Sequence, residues 1–202
     1  MPGIPYEDPA GTMTLAPEYE ARFVHVDVER VAVQLAACGA KQVSARTLMT
    51  RVIFENPHIA GKRGWLRLRQ EGETTMLTYK QATGASSTVD SVLEVQTPVG
   101  DFAATYSLLE AVGFTPVRHQ ESYREQWVLD GVTLDFDEWP DLPPFLEVEG
   151  PDEEAVQLVA KRLGLSFDEA KFGSVDELYL SELGRDILQE ARLTFQGSVR
   201  PS

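Results

Sequence analysis

The chain has a single cysteine, three histidines and no apolar run of membrane-spanning length. Cys38 cannot form an internal disulfide and is most simply a small buried hydrophobe, as expected in a reducing compartment. The N-terminus lacks the basic and apolar regions of a signal peptide, so a cytoplasmic protein is expected. His25, His58 and His119 are scattered without metal-ligand spacing. Neither a P-loop nor a dinucleotide fingerprint occurs, and no Ser or Cys nucleophile motif is found. Positive charge is also scarce. Lys and Arg total 18 against 32 Asp and Glu, a net charge of −14, which argues against general affinity for nucleic acid or anionic membranes.

A chain of 202 residues suits one domain with a sizeable core. Residues 1–16 carry Pro2, Gly3, Pro5, Pro9 and Gly11 and read as a loose arm. A single domain is expected over 17–193, with a frayed tail over 194–202. The first strand is expected at 17–26, followed by a helix capped by Asp27 and closed near Gly39. Strands follow near 41–46, 49–55, 64–70, 75–81 and 88–97, then a helix from Asp101 to Gly113. Strands at 115–129, 131–138 and 144–150 come next, with Asp130-Gly131 as a hairpin turn. A helix from Pro151 and Asp152 ends at Gly164, and Ser174-Val-Asp-Glu177 has capping-box spacing before a last helix closed by Gly184. The order strand–helix–strands occurs twice.

What the strands do have is charge of both signs. Glu18-x-Glu20-x-Arg22, Arg67-x-Arg69, Lys80, Glu94, Arg124, Asp135-x-Asp137 and Glu147-x-Glu149 all fall on strand-like stretches. Residues i and i+2 of a strand share a face, so each pair projects together, while Leu68, Phe136 and Val148 point the other way into a core. Any one pair also fits a solvated strand face or a salt-bridged edge, and a lone base such as Lys80 or Arg124 fits a surface residue. Recurrence on strand after strand points instead to a barrel with a polar lumen. Its carboxylates suit a hard divalent cation and its arginines a polyphosphate. The strand phase near Arg51, Arg118 and Glu121 is ambiguous.

The ordered series resembles a known family. Glu18-Tyr-Glu20-Ala-Arg22 is similar to the opening ExExK signature of the CYTH superfamily, the class IV adenylate cyclase and thiamine triphosphatase-like triphosphate tunnel metalloenzymes. The similarity continues through Trp65-Leu-Arg-Leu-Arg69, Leu77-Thr-Tyr-Lys80, Ser122-Tyr-Arg-Glu-Gln-Trp127, Asp137-Glu-Trp-Pro140 and Phe145-Leu-Glu-Val-Glu-Gly150. The resemblance implies an α+β fold, a closed antiparallel eight-stranded β-barrel flanked by helices. It implies Mg²⁺ or Mn²⁺ held by Glu18, Glu20, Asp137, Glu147 and Glu149, and a phosphate chain gripped by Arg22, Arg67, Arg69, Lys80 and Arg124. Catalysis would rest on Glu18, Glu20, Arg22, Glu147 and Glu149. Arg22 replaces the family's lysine, and Asp90, Val92 and Gln96 surround Glu94 where charged companions are usual. The implied activity is hydrolysis of inorganic or organic triphosphates (tripolyphosphate, ATP or thiamine triphosphate). Alternatives are cyclisation of ATP to cyclic AMP and polyphosphate or nucleotide binding without turnover. No nucleic-acid or membrane partner is expected, and a homodimer stays possible.

Overall fold

The computed structural model describes residues 16–17, 19–82 and 92–196. Glu18, Asp90 and most of the expected arm lie outside that range, as do residues 197–202. One ten-stranded sheet organises the rest. Its strands are β1 (Ala16–Pro17), β2 (Tyr19–Phe23), β3 (Lys41–Glu55), β4 (Gly64–Glu71), β5 (Thr74–Ala82), β6 (Val92–Val99), β7 (Thr115–Leu129), β8 (Val132–Glu138), β9 (Phe145–Gly150) and β10 (Arg192–Leu193). The helices are α1 (Val28–Ala37), α2 (Pro57–Ala60), α3 (Phe102–Ala111), α4 (Glu153–Arg162) and α5 (Val175–Leu183). Among the described residues no helix is long and apolar enough to cross a membrane.

The pairing path runs β1-β6-β5-β4-β3-β7-β8-β9-β2, with β10 added in parallel to β7. Every other pairing is antiparallel. The sheet is strongly curled but open, which corrects the expectation of a closed barrel of eight strands. Its two ends, β1 and β2, are successive pieces of one stretch of chain; the first pairs with β6 and the second with β9. At Arg22 the backbone also exchanges hydrogen bonds with Lys171, 2.9 and 2.8 Å, so chain from beyond α4 lies along the seam.

Local chemistry sets the boundaries. Asp27, Asp101 and Asp152 each accept a backbone N–H three residues on, at 3.0, 2.6 and 2.8 Å, capping α1, α3 and α4. The capping box at α5 is half formed: the Ser174 side chain makes no cap bond, while Glu177 receives the Ser174 backbone N–H. Asp130 and Gly131 both take positive φ, 51° and 83°, as the two-residue hairpin between β7 and β8 requires. The first strand ends at Phe23 rather than residue 26, because His25 adopts φ 58°. The two strands expected at 41–46 and 49–55 are one, β3. Register shifts between Gln42 and Ser44 and between Ser44 and Thr47 break its alternation and hide its continuity. The short α2, capped by Asn56 with Pro57 in its first turn, was not anticipated.

The hydrophobic core lies mainly on the convex side. Leu134, Phe136, Leu146, Val148, Ala21 and Phe23 pack against Val31 and Leu35 of α1 and Val156 and Val159 of α4. Val52, Phe54 and Leu68 pack under Leu109 of α3. A third cluster, Trp139, Leu142, Phe145, Leu178, Tyr179, Ile187 and Leu193, joins α5 to the ends of β8 and β9. Leu134 is fully buried and Leu158 is 56% exposed. Leu134→Ala should therefore cost about 2–5 kcal/mol in urea denaturation, and Leu158→Ala less than about 0.5 kcal/mol.

Candidate functional site

With the core outside, the concave face receives the charged partners of each i, i+2 pair. The register puts Glu20 opposite Glu149 and Arg22 opposite Glu147 between β2 and β9. Asp135 lies opposite Glu147, and Asp137 opposite Arg124, around β8. On the other side, Arg67 faces Thr78 and Lys80 faces Glu94. Lys80 on β5 helps depress the pKa of Glu147 on β9, although these strands are not neighbours, so the curl brings the two walls within electrostatic reach. One wall, β2, β8 and β9, is rich in carboxylates; the other, β3, β4 and β5, carries Arg51, Arg67, Arg69 and Lys80.

Of the residues expected in the site, Glu20, Arg22, Asp137 and Glu147 are buried. Arg67, Arg69, Lys80, Arg124 and Glu149 are half-buried on the same face. Glu18 lies outside the described residues. A cavity of about 560 Å³ opens among Glu20, Arg22, Arg67 and Lys80, and is also lined by Trp65, Trp139 and the start of α5. Arg69, Arg124, Asp137, Glu147 and Glu149 are not part of its lining.

Two guanidiniums organise the acidic wall. Arg22 reaches Glu20 at 2.9 Å and Glu147 at 2.8 Å, and donates to the Gly173 carbonyl. Burial opposes its charge, yet Glu20 and Glu147 hold its pKa above the usual arginine value. Arg124 meets Asp135 at 2.5 Å, Asp137 at 2.6 Å and Glu147 at 3.0 Å. Burial also opposes the Glu147 charge, but Arg22 and Arg124 bring its pKa down to about 2. Because Arg124 is shared among three carboxylates, one stays undercompensated: burial first, then Glu147 and Asp137, push Asp135 up to about 7 against the pull of Arg124. On the basic wall, Lys80 and Arg67 share Glu94 at 2.8 and 3.7 Å, and Arg69 reaches Glu71 at 3.3 Å. Burial and then Arg67 lower Arg69 to about 10.

Among the described residues no group of three or more His, Cys, Asp or Glu side chains is arranged to hold a metal ion. The guanidiniums of Arg22 and Arg124 occupy the space between most of these carboxylates. The donor set still fits a hard cation. Glu149 has no ion-pair partner among the described residues, and burial, then Glu147 and Glu20, raise its pKa. Its position opposite Glu20 concentrates negative charge that a divalent cation would relieve.

Sequence reasoning left Arg51, Asp135, Glu94 and Arg118 without roles. Asp135 is buried and Glu94 half-buried within the charged face. Arg118 pairs with Glu55 at 2.6 Å. Arg51 is buried opposite Arg69 and Gln120. The i, i+2 rule could have included Asp135; Arg51 needed the register of a strand whose alternation is broken by bulges.

A family model, CYTH domain, matches residues 16–172. A candidate adenylate cyclase of Vibrio parahaemolyticus is similar in structure, with TM-score 0.68 and 13% identity over 80% of this chain and 97% of that one. A Pyrococcus horikoshii protein gives TM-score 0.63 and 23% identity, covering 76% and 94%. A candidate adenylyl cyclase of Hippeastrum, described as having a dominant triphosphatase activity, gives 0.55 and 15%, covering 83% and 95%. These likenesses are of fold. No curated protein matches the chain.

Removing Arg124 should strand three carboxylates. Arg124→Met should cost about 3–5 kcal/mol at neutral pH. The folded variant's carboxyls then titrate above their unfolded values, so the folded state binds more protons and stability falls as pH rises. Urea titrations at pH 5 and pH 7 should accordingly show the smaller deficit at pH 5.

Proposed function

As the chain belongs to the CYTH domain family, we propose that it hydrolyses a triphosphate with a divalent cation, Mg²⁺ or Mn²⁺, inside the curled sheet. The observation that carries this reading is the division of one concave face into a carboxylate wall and a guanidinium wall, with a cavity of about 560 Å³ opening onto it at Glu20, Arg22, Arg51, Arg67 and Lys80. An anion alone would leave the carboxylates repelled, and a cation alone would leave the arginines so. A metal-bound polyphosphate satisfies both.

Arg67, Arg69 and Lys80 grip phosphate oxygens, the arginine forks bidentately. Arg22 and Arg124 lie among the carboxylates of the acidic wall, and phosphate oxygens compete with those carboxylates for their N–H groups. Glu18, Glu20, Asp137, Glu147 and Glu149 would supply the hard oxygens for the cation. When bound, that cation neutralises phosphate charge and polarises the bond to the leaving group. A carboxylate of the acidic wall accepts the proton of the attacking water. Water oxygen bonds to the terminal phosphorus, the bridging P–O bond breaks, and its electrons leave on the diphosphate product. Most of the rate advantage comes from holding these groups in line.

The Hippeastrum neighbour's dominant triphosphatase activity supports hydrolysis over cyclisation. Apolar lining by Ile53, Trp65, Val92 and Ile187 leaves room for an organic group and keeps ATP as a candidate substrate. The test is an assay of tripolyphosphate, ATP and thiamine triphosphate with each metal, read for phosphate and for cyclic AMP. Phosphate release lost in Glu147→Ala is the expected result. Cyclic AMP as the main product from ATP would favour a cyclase, and saturable binding without turnover a binding module. Arg69→Ala should weaken tripolyphosphate binding by about 1.5–3 kcal/mol, measured by calorimetric titration.

A further inference from the structure

Arg51 stands apart from the other bases of the lumen. Arg22, Arg67, Arg69, Lys80 and Arg124 each have a carboxylate oxygen within 2.8, 3.7, 3.3, 2.8 and 2.5 Å respectively. Arg51 is only 7% exposed and forms no ion pair among the described residues. Its contacts are the Ser122 hydroxyl, the Met49 sulfur at 3.8 Å and the face of Trp139, 4.3 Å from its Cζ. Among the described residues its Nε has no hydrogen-bond partner, and neither have the Nε of Arg67 and Arg69 or the buried indole Nε1 of Trp139. Both residues line the cavity.

A buried charge without a carboxylate partner is costly, and the Trp139 ring face and the Ser122 hydroxyl offset only part of that cost. The cost is increased by its neighbours: burial, then Arg69 and Arg67, hold the Arg51 pKa well below the usual arginine value. Register places Arg51 directly opposite Arg69, with Arg67 one inward position further along β4. Three guanidiniums thus share one corner of the lumen, where Arg67 and Arg69 have Glu94 and Glu71 as partners and Arg51 has no carboxylate in contact among the described residues.

We propose that Arg51 is a ligand-binding residue that, with Arg67 and Arg69, seats the end phosphate of a linear polyphosphate. An end phosphate carries up to two negative charges and three free oxygens, whereas an inner one carries a single charge. It is the part of the chain best matched to several convergent N–H forks. The Nε of Arg51 and the Trp139 indole N–H supply donors that have no partner among the described residues. The inference rests on the polyphosphate-binding reading above and adds the orientation of the chain within the site.

The test is calorimetric titration of the full chain, Arg51→Met and Arg51→Lys, with and without Mg²⁺. The ligands are tripolyphosphate and trimetaphosphate, a ring of three phosphates with no chain end. Arg51→Met should bind tripolyphosphate about ten- to a hundredfold more weakly, and Arg51→Lys should recover part of that loss. Trimetaphosphate affinity should change by less than about threefold, because it has no end phosphate to lose. The ligand-free melting temperature of Arg51→Met should hold or rise, since a buried unpaired charge has gone. Tripolyphosphate binding equal to the parent's, or a lowered melting temperature with binding intact, would make Arg51 a packing residue and overturn the proposal. Equal losses for both phosphates would refute the end-phosphate assignment. If the parent itself bound neither ligand in either condition, the polyphosphate reading would fall first and this inference with it.

Discussion

Charge enclosed by a curled sheet must find its counter-charge within that enclosure, and the structure follows from this constraint. The apolar neighbours of each charged residue already face the helices, so the charged side chains cannot turn outward without emptying the core. Without ligand, the compensation is internal and incomplete. Arg22 and Arg124 hold most of the acidic wall together, Glu94 serves two cations, and Glu149 and Arg51 form no ion pair among the described residues. The imbalance is largest where the functional reading places a cation and an end phosphate.

That arrangement has a cost in the free protein and an advantage in the bound one. Pairing buried ions seldom stabilises a fold as much as apolar packing does, so the lumen is held by the convex core rather than by its own bridges. A ligand that supplies both missing charges binds the folded state alone and draws the equilibrium toward it. The two guanidiniums that hold the acidic wall together have their charge favoured by the neighbouring carboxylates. They remain cationic throughout and can be shared between protein and substrate oxygens.

Much of this was legible in the sequence because strand periodicity is two. Glu147 and Glu149, or Arg67 and Arg69, announce a common face wherever Val148 or Leu68 marks the core between them. Arg51 was not legible, because bulges in β3 obscure its phase and its neighbours Val52 and Ile53 are both apolar. Asp135 shared the face of Asp137, but its counter-charge comes from Arg124, a partner on another strand. Closure was misjudged for a different reason. Local pattern gives strands and faces, but not which edge meets which: β1 and β2 divide one stretch between two edges, and Lys171 enters the seam from far along the chain. The third apolar cluster, joining Trp139 and Phe145 to α5, likewise depends on contacts no local pattern specifies.

The central claim is that the lumen is incomplete without a metal-bound polyphosphate. Thermal unfolding of the intact chain tests it most directly, with Mn²⁺ alone, tripolyphosphate alone, both together, and chloride at matched ionic strength. The account predicts a saturable rise in melting temperature with both together that exceeds the sum of the separate effects and that chloride does not reproduce. A melting temperature that follows ionic strength alone would contradict it.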